Sequence, residues 1–503
     1  MASKGPCSTA STAVTPSSAS AASQPHSAKS ELSMKRCTFS SSTTRMRHCS
    51  FLFSLMVLLL FFQHAAYSNV KRKEKQLEHS LDIKKLIHGG AGLGYLEDGL
   101  VTMVPFVLPG ETVVVAEKKR TKKLLTAELV QVRSPAPERQ TPPCPYYMRC
   151  GGCNLQHIDY LEQARLKRLL LQETLERSKI DLTGIPVENT LASPESLYYR
   201  HRIRLHLDKK QRLGFYRIQS NQIIPLQSCL LATDTIHSAV QTFVDRDLTP
   251  ELATHCKAVE FVASPHTGEV TILLHPRSPR HNKLDVYPVK TGGTTHIKIK
   301  GAAPPQAGYT EPNLHQRFTI PAGAYQLSWD HNCFFQTNPQ QNQQLVELLC
   351  SVLEKIQPAM MLDLFCGIGN FSIPAALMGW KVIGVEHNHH SIYWAKYNSK
   401  QVAGKATFIC EPVAKALKSF TSKNEQVDLV LVDPPRQGLE KQTVQAIIQL
   451  APKNMIYISC DPATLGRDLN LLIAAGFSIK NVTPIDMFPQ THHIESLVVL
   501  EKN

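Results

Sequence analysis

Between residues 81 and 132 the chain reads as short apolar or alternating runs. Ile83 to Ile87, Leu100 to Val107, Thr112 to Ala116 and Leu124 to Val132 have strand length and are separated by the glycine-rich segment from His88 to Gly94 and by Pro109-Gly110-Glu111. A small β-barrel accounts for them. Residues 158 to about 178 carry Leu161, Ala164, Leu169 and Leu175 among lysines and arginines, a helical pattern. From Tyr199 to Leu207 the period becomes two, with Arg200, Arg202, Arg204 and His206 on one face and Ile203, Leu205 and Leu207 on the other. That arginine face is expected to meet RNA phosphates, with plain solvation the alternative. Alternation resumes at Leu213 to Tyr216, Ile223 to Leu226 and Glu260 to Leu274, so the middle of the chain is expected to be mostly β. Residues 276 to 315 are rich in Pro, Gly and Lys and predict nothing definite. Beyond them, a helix with Leu345, Leu348, Leu349 and Val352 precedes apolar strands that alternate with helices, the pattern of an α/β sheet.

Residues 1 to 33 are Ser, Ala, Thr and Pro rich and too poor in large apolar groups to order. Arg36, Arg45 and Arg47 then precede an apolar block, Phe51 to Phe62, which is followed by Ala65-Ala66. That arrangement resembles a signal peptide, and the block falls short of the roughly 20 apolar residues that span a bilayer. An export signal, a weak anchor and an artefact of an upstream start codon are the three readings. The third is favoured, with translation beginning at a non-Met codon such as Val70, because no methionine occurs between Met56 and Met103.

A chain of 503 residues predicts two or three domains. Its 55 Lys+Arg against 41 Asp+Glu give +14, a balance suited to a polyanion, although a solvated basic surface has the same composition. Thirteen cysteines at irregular spacing are no secreted disulfide framework. Three of them, Cys144, Cys150 and Cys153, fall within ten residues around Gly151-Gly152, a soft-metal site lacking one ligand. Cys229 is the candidate fourth. Zinc and an iron-sulfur cluster both satisfy this spacing.

Three stretches of the C-terminal third carry chemistry. In Asp363-Leu364-Phe365-Cys366-Gly367-Ile368-Gly369-Asn370 a strand enters a tight loop, and Glu386 ends the next strand, where a carboxylate can grip ribose hydroxyls. The absent third glycine argues against a dinucleotide. Asp433-Pro434-Pro435-Arg436 follows another apolar strand. In Tyr457-Ile458-Ser459-Cys460-Asp461-Pro462 a cysteine stands at a strand exit and helix entrance, where free amides and Arg467 favour a thiolate while Asp461 opposes it. A buried, inert cysteine is the alternative.

The stretch from Tyr457 to Leu469, together with Asp486-Met487-Phe488-Pro489-Gln490-Thr491-His492-His493-Ile494-Glu495, resembles the RNA uracil-C5 methyltransferases, and the resemblance extends over about residues 81 to 500. It implies an α/β fold in parts: a low-complexity extension (1–70), a TRAM-like RNA-binding barrel (78–135) with its basic hairpin from Lys118 to Lys123, a β-rich middle domain (136–325) and a Rossmann-like methyltransferase domain (330–503). It implies S-adenosylmethionine held by Gln336, Phe365, Asn370, Glu386 and Asp433, and a [4Fe-4S] cluster on Cys144, Cys150, Cys153 and Cys229. It implies Cys460 as the nucleophile that adds to C6 of uracil, because C5 alone is too weak a nucleophile, and Glu495 as the base that then removes the C5 proton.

Asp461 and Gly466 stand where many members carry Asn and Ala. His492 and His493, expected on opposite faces of a strand, receive no role. Barrel and four cysteines together look more like the 23S ribosomal-RNA enzymes of that family than its tRNA enzyme, and this resemblance implies 23S rRNA as the substrate. A cytoplasmic monomer with no stable membrane partner is expected, and the rival reading is a non-catalytic RNA-binding or folding factor.

Overall fold

Three sheets and a hairpin organise the chain in a computed structural model that describes residues 77–245, 254–278, 295–299, 314–423 and 425–503. The apolar block from Phe51 to Phe62 and the Val70 start lie outside these residues. Strands β1 (Glu78–Leu86), β2 (Ala91–Tyr95), β3 (Val101–Pro105), β4 (Thr112–Arg120) and β5 (Leu124–Ser134) close a barrel in the order β1-β2-β3-β5-β4. Strand β2 lies inside what reads as a glycine turn. Its glycines hide it from the alternation rule, and packing explains them: a Cβ on Gly92 would meet Val107 at 2.3 Å. Buried Glu111 fastens the barrel to the segment after it, accepting from Leu108 N at 2.8 Å and from Arg139 Nη2 at 2.8 Å.

Helix α1 (Tyr160–Arg177) starts at Asp159, whose carboxylate caps Leu161 N and Glu162 N. Its buried stripe differs from the expected one: Leu161 is 74% and Leu169 44% exposed, while Gln163, Ala164, Leu166, Lys167, Leu170, Leu171 and Leu175 are covered. A lysine sits in that stripe because Lys167 Nζ donates to Asp486 Oδ1 at 2.6 Å, with both side chains fully buried. The helix packs on the C-terminal sheet, with Leu171 and Leu175 in the same apolar cluster as Val430, Tyr457 and Leu469.

Strands β6 (Arg202–Leu207), β7 (Leu213–Tyr216) and β8 (Ile223–Pro225), helix α2 (Asp234–Asp245), and strands β9 (Cys256–Ala263), β10 (Val270–Pro276) and β11 (Thr295–Ile299) build the middle sheet in the order β11-β10-β9-β6-β7-β8. Ile203, Leu205 and Leu207 face the core as the period of two requires. The opposite arginine face is not a free phosphate surface. Arg202 and Arg204 pair with Glu260 on β9 at 2.7 and 3.0 Å, and Arg200 turns into the cysteine-lined cavity described below.

After the hairpin β12 (Leu314–Ile320) and β13 (Gly323–Trp329) comes helix α3 (Pro339–Leu353), capped by Asn338. The remaining elements alternate: β14 (Met360–Leu364), α4 (Ser372–Leu377), β15 (Lys381–Glu386), α5 (His389–Asn398), β16 (Ala406–Cys410), α6 (Val413–Ser422), β17 (Leu429–Val432), α7 (Lys441–Leu450), β18 (Asn454–Ser459), α8 (Pro462–Ala474), β19 (Phe477–Ile485) and β20 (Glu495–Lys502). They form a seven-stranded sheet in the order β16-β15-β14-β17-β18-β20-β19. The first five pair in parallel, and β20 runs antiparallel to both of its neighbours. The order reverses between β14 and β17, and ligands of open α/β sheets bind outside the strand ends at such a reversal. Among the described residues no helix is long and apolar enough to cross a membrane.

Removing one member of a buried ion pair strands the other. Lys167→Met should therefore destabilise the fold by about 3–5 kcal/mol, and Lys167→Met with Asp486→Leu should recover most of that loss. Urea unfolding of both variants measures the difference.

Candidate functional site

Where the sheet order reverses, β14 delivers Asp363 and the loop after it. Phe365 N and Cys366 N donate to Val385 O at 2.9 and 3.1 Å, which pins the turn to β15, and Phe365 takes a left-handed φ of 65°. Asn370 exchanges two side-chain amide bonds, each 3.0 Å, with buried Asn342 on α3. Asp363 is fully buried; its Oδ2 accepts from Ser372 at 2.5 Å, its Oδ1 has no hydrogen-bond partner, and burial raises it to about 7. Glu386 ends β15, accepting from Asn388 N at 2.8 Å with His387 Nδ1 at 2.9 Å. Gln336 is buried in the segment leading into α3. An orphaned buried carboxylate oxygen beside further acids suits a ligand that carries positive charge.

Asp433 leaves β17 and Cys460 leaves β18, two adjacent parallel strands, so both reach the same edge of the sheet. Glu495 arrives from the other direction. Because β20 is antiparallel to β18 with Ser459 opposite Ser496, the first residue of β20 falls beside the residue that follows β18. Thus 34 residues of intervening chain return a carboxylate to the cysteine. Burial and the charges of Glu495 and Asp433 push the Cys460 thiol up to about 12, with Arg436 opposing. Burial and Asp433 likewise hold Glu495 well above the usual carboxylate range, and burial raises Asp433 to about 7.

The expectation that helix amides and Arg467 support a thiolate is corrected here. The α8 amides of Ala463 and Thr464 are taken by Asp461 at 3.0 and 2.9 Å. Arg467 instead binds Asp468 and the carbonyls of Gln437 and Leu439, and so clamps the loop after Asp433. The cation beside Cys460 is Arg436. Asp461 serves as a helix cap, a task Asn performs equally well, which makes its departure from the family pattern mild. Gly466 is required sterically, since a Cβ there would lie 2.4 Å from Ser178 Oγ.

His492 and His493 precede β20 in a turn rather than lying on it, and their rings are 4.3 Å apart instead of on opposite faces. Burial and cationic neighbours lower them to about 4 and about 3. Sequence reasoning missed Asn154, Gln163 and Lys167, which hold this turn. Their partners lie more than three hundred residues away, so no local pattern betrays them.

Cys144, Cys150, Cys153 and Cys229 line one cavity of about 60 Å³, with Arg200 and Gln156 among its walls. Gly152 N donates to Cys150 Sγ at 3.4 Å, and burial pushes Cys153 up to about 12. A soft metal centre would take these four sulfurs as thiolates, whose negative charge the Gly152 amide and the Arg200 guanidinium offset. Among the described residues, no group of three or more His, Cys, Asp or Glu side chains is set to hold a metal ion.

A family pattern described as tRNA (Uracil-5-)-methyltransferase matches residues 167–503. An uncharacterized RNA methyltransferase of Aquifex aeolicus is 31% identical over 85% of this chain and 99% of its own length. A 23S rRNA (uracil(1939)-C(5))-methyltransferase of Shewanella frigidimarina is 32% identical over 86% and 98%. The crystal structure of the Pyrococcus abyssi tRNA (uracil-54, C5)-methyltransferase in complex with S-adenosyl-L-homocysteine superposes with a TM-score of 0.63, at 25% identity, covering 84% of this chain and 99% of that one.

A carboxyl raised in the folded state binds protons that the unfolded chain has lost, so it costs stability as pH climbs from about 4 towards 7. Asp433→Asn removes that cost. In the ligand-free protein its stability relative to wild type should grow by roughly 2–4 kcal/mol between pH 5 and pH 8. Denaturant midpoints at the two pH values provide the measurement.

Proposed function

We propose, given that this chain belongs to the tRNA (uracil-5-)-methyltransferase family and is an RNA methyltransferase, that it methylates C5 of one uridine in 23S rRNA, with Cys460 as nucleophile and Glu495 as base. The convergence of Cys460, Glu495 and Asp433 at one sheet edge carries this reading. S-adenosylmethionine supplies the methyl group; Gln336, Phe365, Asn370, Glu386 and Asp433 would hold it, and the orphaned Asp363 Oδ1 fits a cationic ligand.

The Cys460 sulfur, entering as the thiolate that the last step regenerates, bonds to C6 of the uracil and moves the C5–C6 π pair into an enolate. The enolate pair at C5 then takes the methyl group, and the pair of the broken S–CH3 bond stays on the donor sulfur, which leaves as a thioether. Glu495 removes the C5 proton, the freed pair restores the C5–C6 double bond, and the thiolate departs with the electrons of the C–S bond. A carboxylate raised by burial is suited to receive that proton. Arg436 offsets the negative charge that accumulates during addition.

The four cysteines would hold a [4Fe-4S] cluster, whose task is to tie residues 144–153 to Cys229. The donor set, the cavity and the nearby guanidinium support it. The barrel formed by β1 to β5 has the form of a TRAM-like domain, and its hairpin lysines are placed to meet RNA phosphates. We divide the protein into an extension (1–70), this barrel (78–135), a middle domain (136–325) and a methyltransferase domain (330–503), working as a cytoplasmic monomer. A tRNA substrate is the second reading, favoured by the likeness to the Pyrococcus enzyme.

Mapping 5-methyluridine in ribosomal and transfer RNA, with and without the protein, decides between the substrates: loss from 23S rRNA alone is expected, and loss from tRNA alone would overturn the ribosomal assignment. Cys460→Ala should abolish both transfer and the covalent adduct with 5-fluorouridine RNA. Glu495→Gln should slow turnover by about 10²–10⁴-fold while an SDS-stable RNA adduct accumulates. Anaerobically purified protein should be brown, and Cys153→Ser should bleach it; a colourless wild type with stoichiometric zinc would replace the cluster by that metal.

A further inference from the structure

The turn between β19 and β20 contains no regular structure that could fix it, yet Glu495 must be held against a sulfur at its end. Asn154, the residue after Cys153, makes three of the hydrogen bonds that hold the turn. Its backbone N donates to Gln490 O at 3.1 Å, as does Leu155 N. Its side-chain oxygen accepts from His492 N at 2.9 Å, and its Nδ2 meets His492 Nδ1 at 3.0 Å and Gly89 O of the barrel at 2.9 Å. From α1, Gln163 completes the clamp: its Nε2 donates to Gln490 Oε1 at 2.9 Å, and its Oε1 accepts from Gln490 N at 3.0 Å. Gln490 itself sits at a left-handed φ of 67°, a conformation that needs such outside support. Tyr199 Oη donates to Pro489 O at 3.1 Å.

We propose that Asn154 is a positioning residue for proton removal. It holds the turn at Gln490 and His492, and through it Glu495, and it makes the cysteine loop and the barrel part of one joint with the catalytic turn. The inference rests on the reading of Glu495 as base. Four residues, His492 to Glu495, leave little slack, and a reacting group misplaced by about 1 Å loses up to 10²-fold in rate. Neither Asn154 nor Gln163 needs to touch the uridine or its cofactor for this.

The test uses full-length protein and an RNA carrying an unmodified target uridine. Asn154→Ala should lower kcat by roughly 10–100-fold, leave the RNA Kd and the KM for S-adenosylmethionine within twofold, and accumulate the same methylated, SDS-stable adduct as Glu495→Gln. Asn154→Asp, which keeps the oxygen facing His492 N, should recover part of kcat. If Asn154→Ala loses its visible absorbance or fails to fold, Gln163→Ala, which acts on Gln490 from α1, is expected to show the same adduct and kcat loss.

Weakened RNA binding with unchanged single-turnover chemistry in both variants would overturn the proposal, as would full kcat in both. Glu495→Gln run in parallel separates the two failures. Adduct with Glu495→Gln but with neither positioning variant removes the proposal alone, whereas no adduct with Glu495→Gln removes the base assignment and the proposal together.

Discussion

The pairing of β20 with β18 is the constraint on which the site depends. Parallel strands deliver Asp433 and Cys460 to one edge of the sheet without special provision, because every strand of that set ends there. A third group can reach the same edge only at the start of a strand that runs the other way. Ser459 opposite Ser496 fixes that register, and a slip of one residue would turn the side chains of β20 to the other face. The buried apolar residues of β20, Leu497, Val498 and Leu500, make such a slip costly, so the core that stabilises the sheet also sets the distance between carboxylate and thiol.

Gathering these groups works against the folded state. Cys460, Asp433 and Glu495 each lose hydration, Asp433 further raises Glu495, and both carboxyls raise Cys460, so the three favour their neutral forms in the absence of ligand. The surrounding structure supplies rigidity in compensation. Arg467 and Asp468 fasten the loop after Asp433 from α8, Asp468 Oδ2 accepting from Leu439 N at 2.7 Å and from Tyr457 Oη at 2.8 Å. Lys167 reaches both Asp486 Oδ1 and Phe488 O, holding the turn before Glu495 from α1. At the centre of these clamps Asp468 and Lys167 are buried charged groups with more than one partner, the form in which such groups specify one conformation, while Arg467 is half exposed.

How far the fold was legible follows from which signals are local. The alternation in β6 and the strand-loop-helix run at Asp363 depend on neighbours in sequence, and the structure shows both as expected. The glycines of β2 erased its alternation because the barrel admits no side chain at Gly92. Helix α1 was recognised as a helix, but its buried face was misjudged, since counting apolar residues cannot reveal a lysine neutralised by an aspartate 319 positions away. The two histidines were placed on a strand that begins only at Glu495. The residue types at the candidate site were legible from resemblance, whereas their mutual arrangement is a property of sheet order and register.

Net charge alone would place RNA anywhere on a basic protein, but the arginines that looked most available are committed elsewhere. Glu260 engages Arg202, Arg204 and His275 and is driven far below the usual carboxylate range by them, which marks a structural hub of the middle sheet. Arg200 is spent on the cysteine cavity. Exposed basic groups on the barrel include Lys119, Lys122 and Lys123, with Lys118 paired to Glu128 at 3.0 Å, and Arg436 is exposed beside Cys460. Phosphate contacts orient a nucleic acid and base contacts select within it. A substrate held by the barrel lysines therefore meets sequence-dependent chemistry only where Arg436, Cys460 and the turn at His492 come together, and Gly89 O bonded to Asn154 joins these two regions directly.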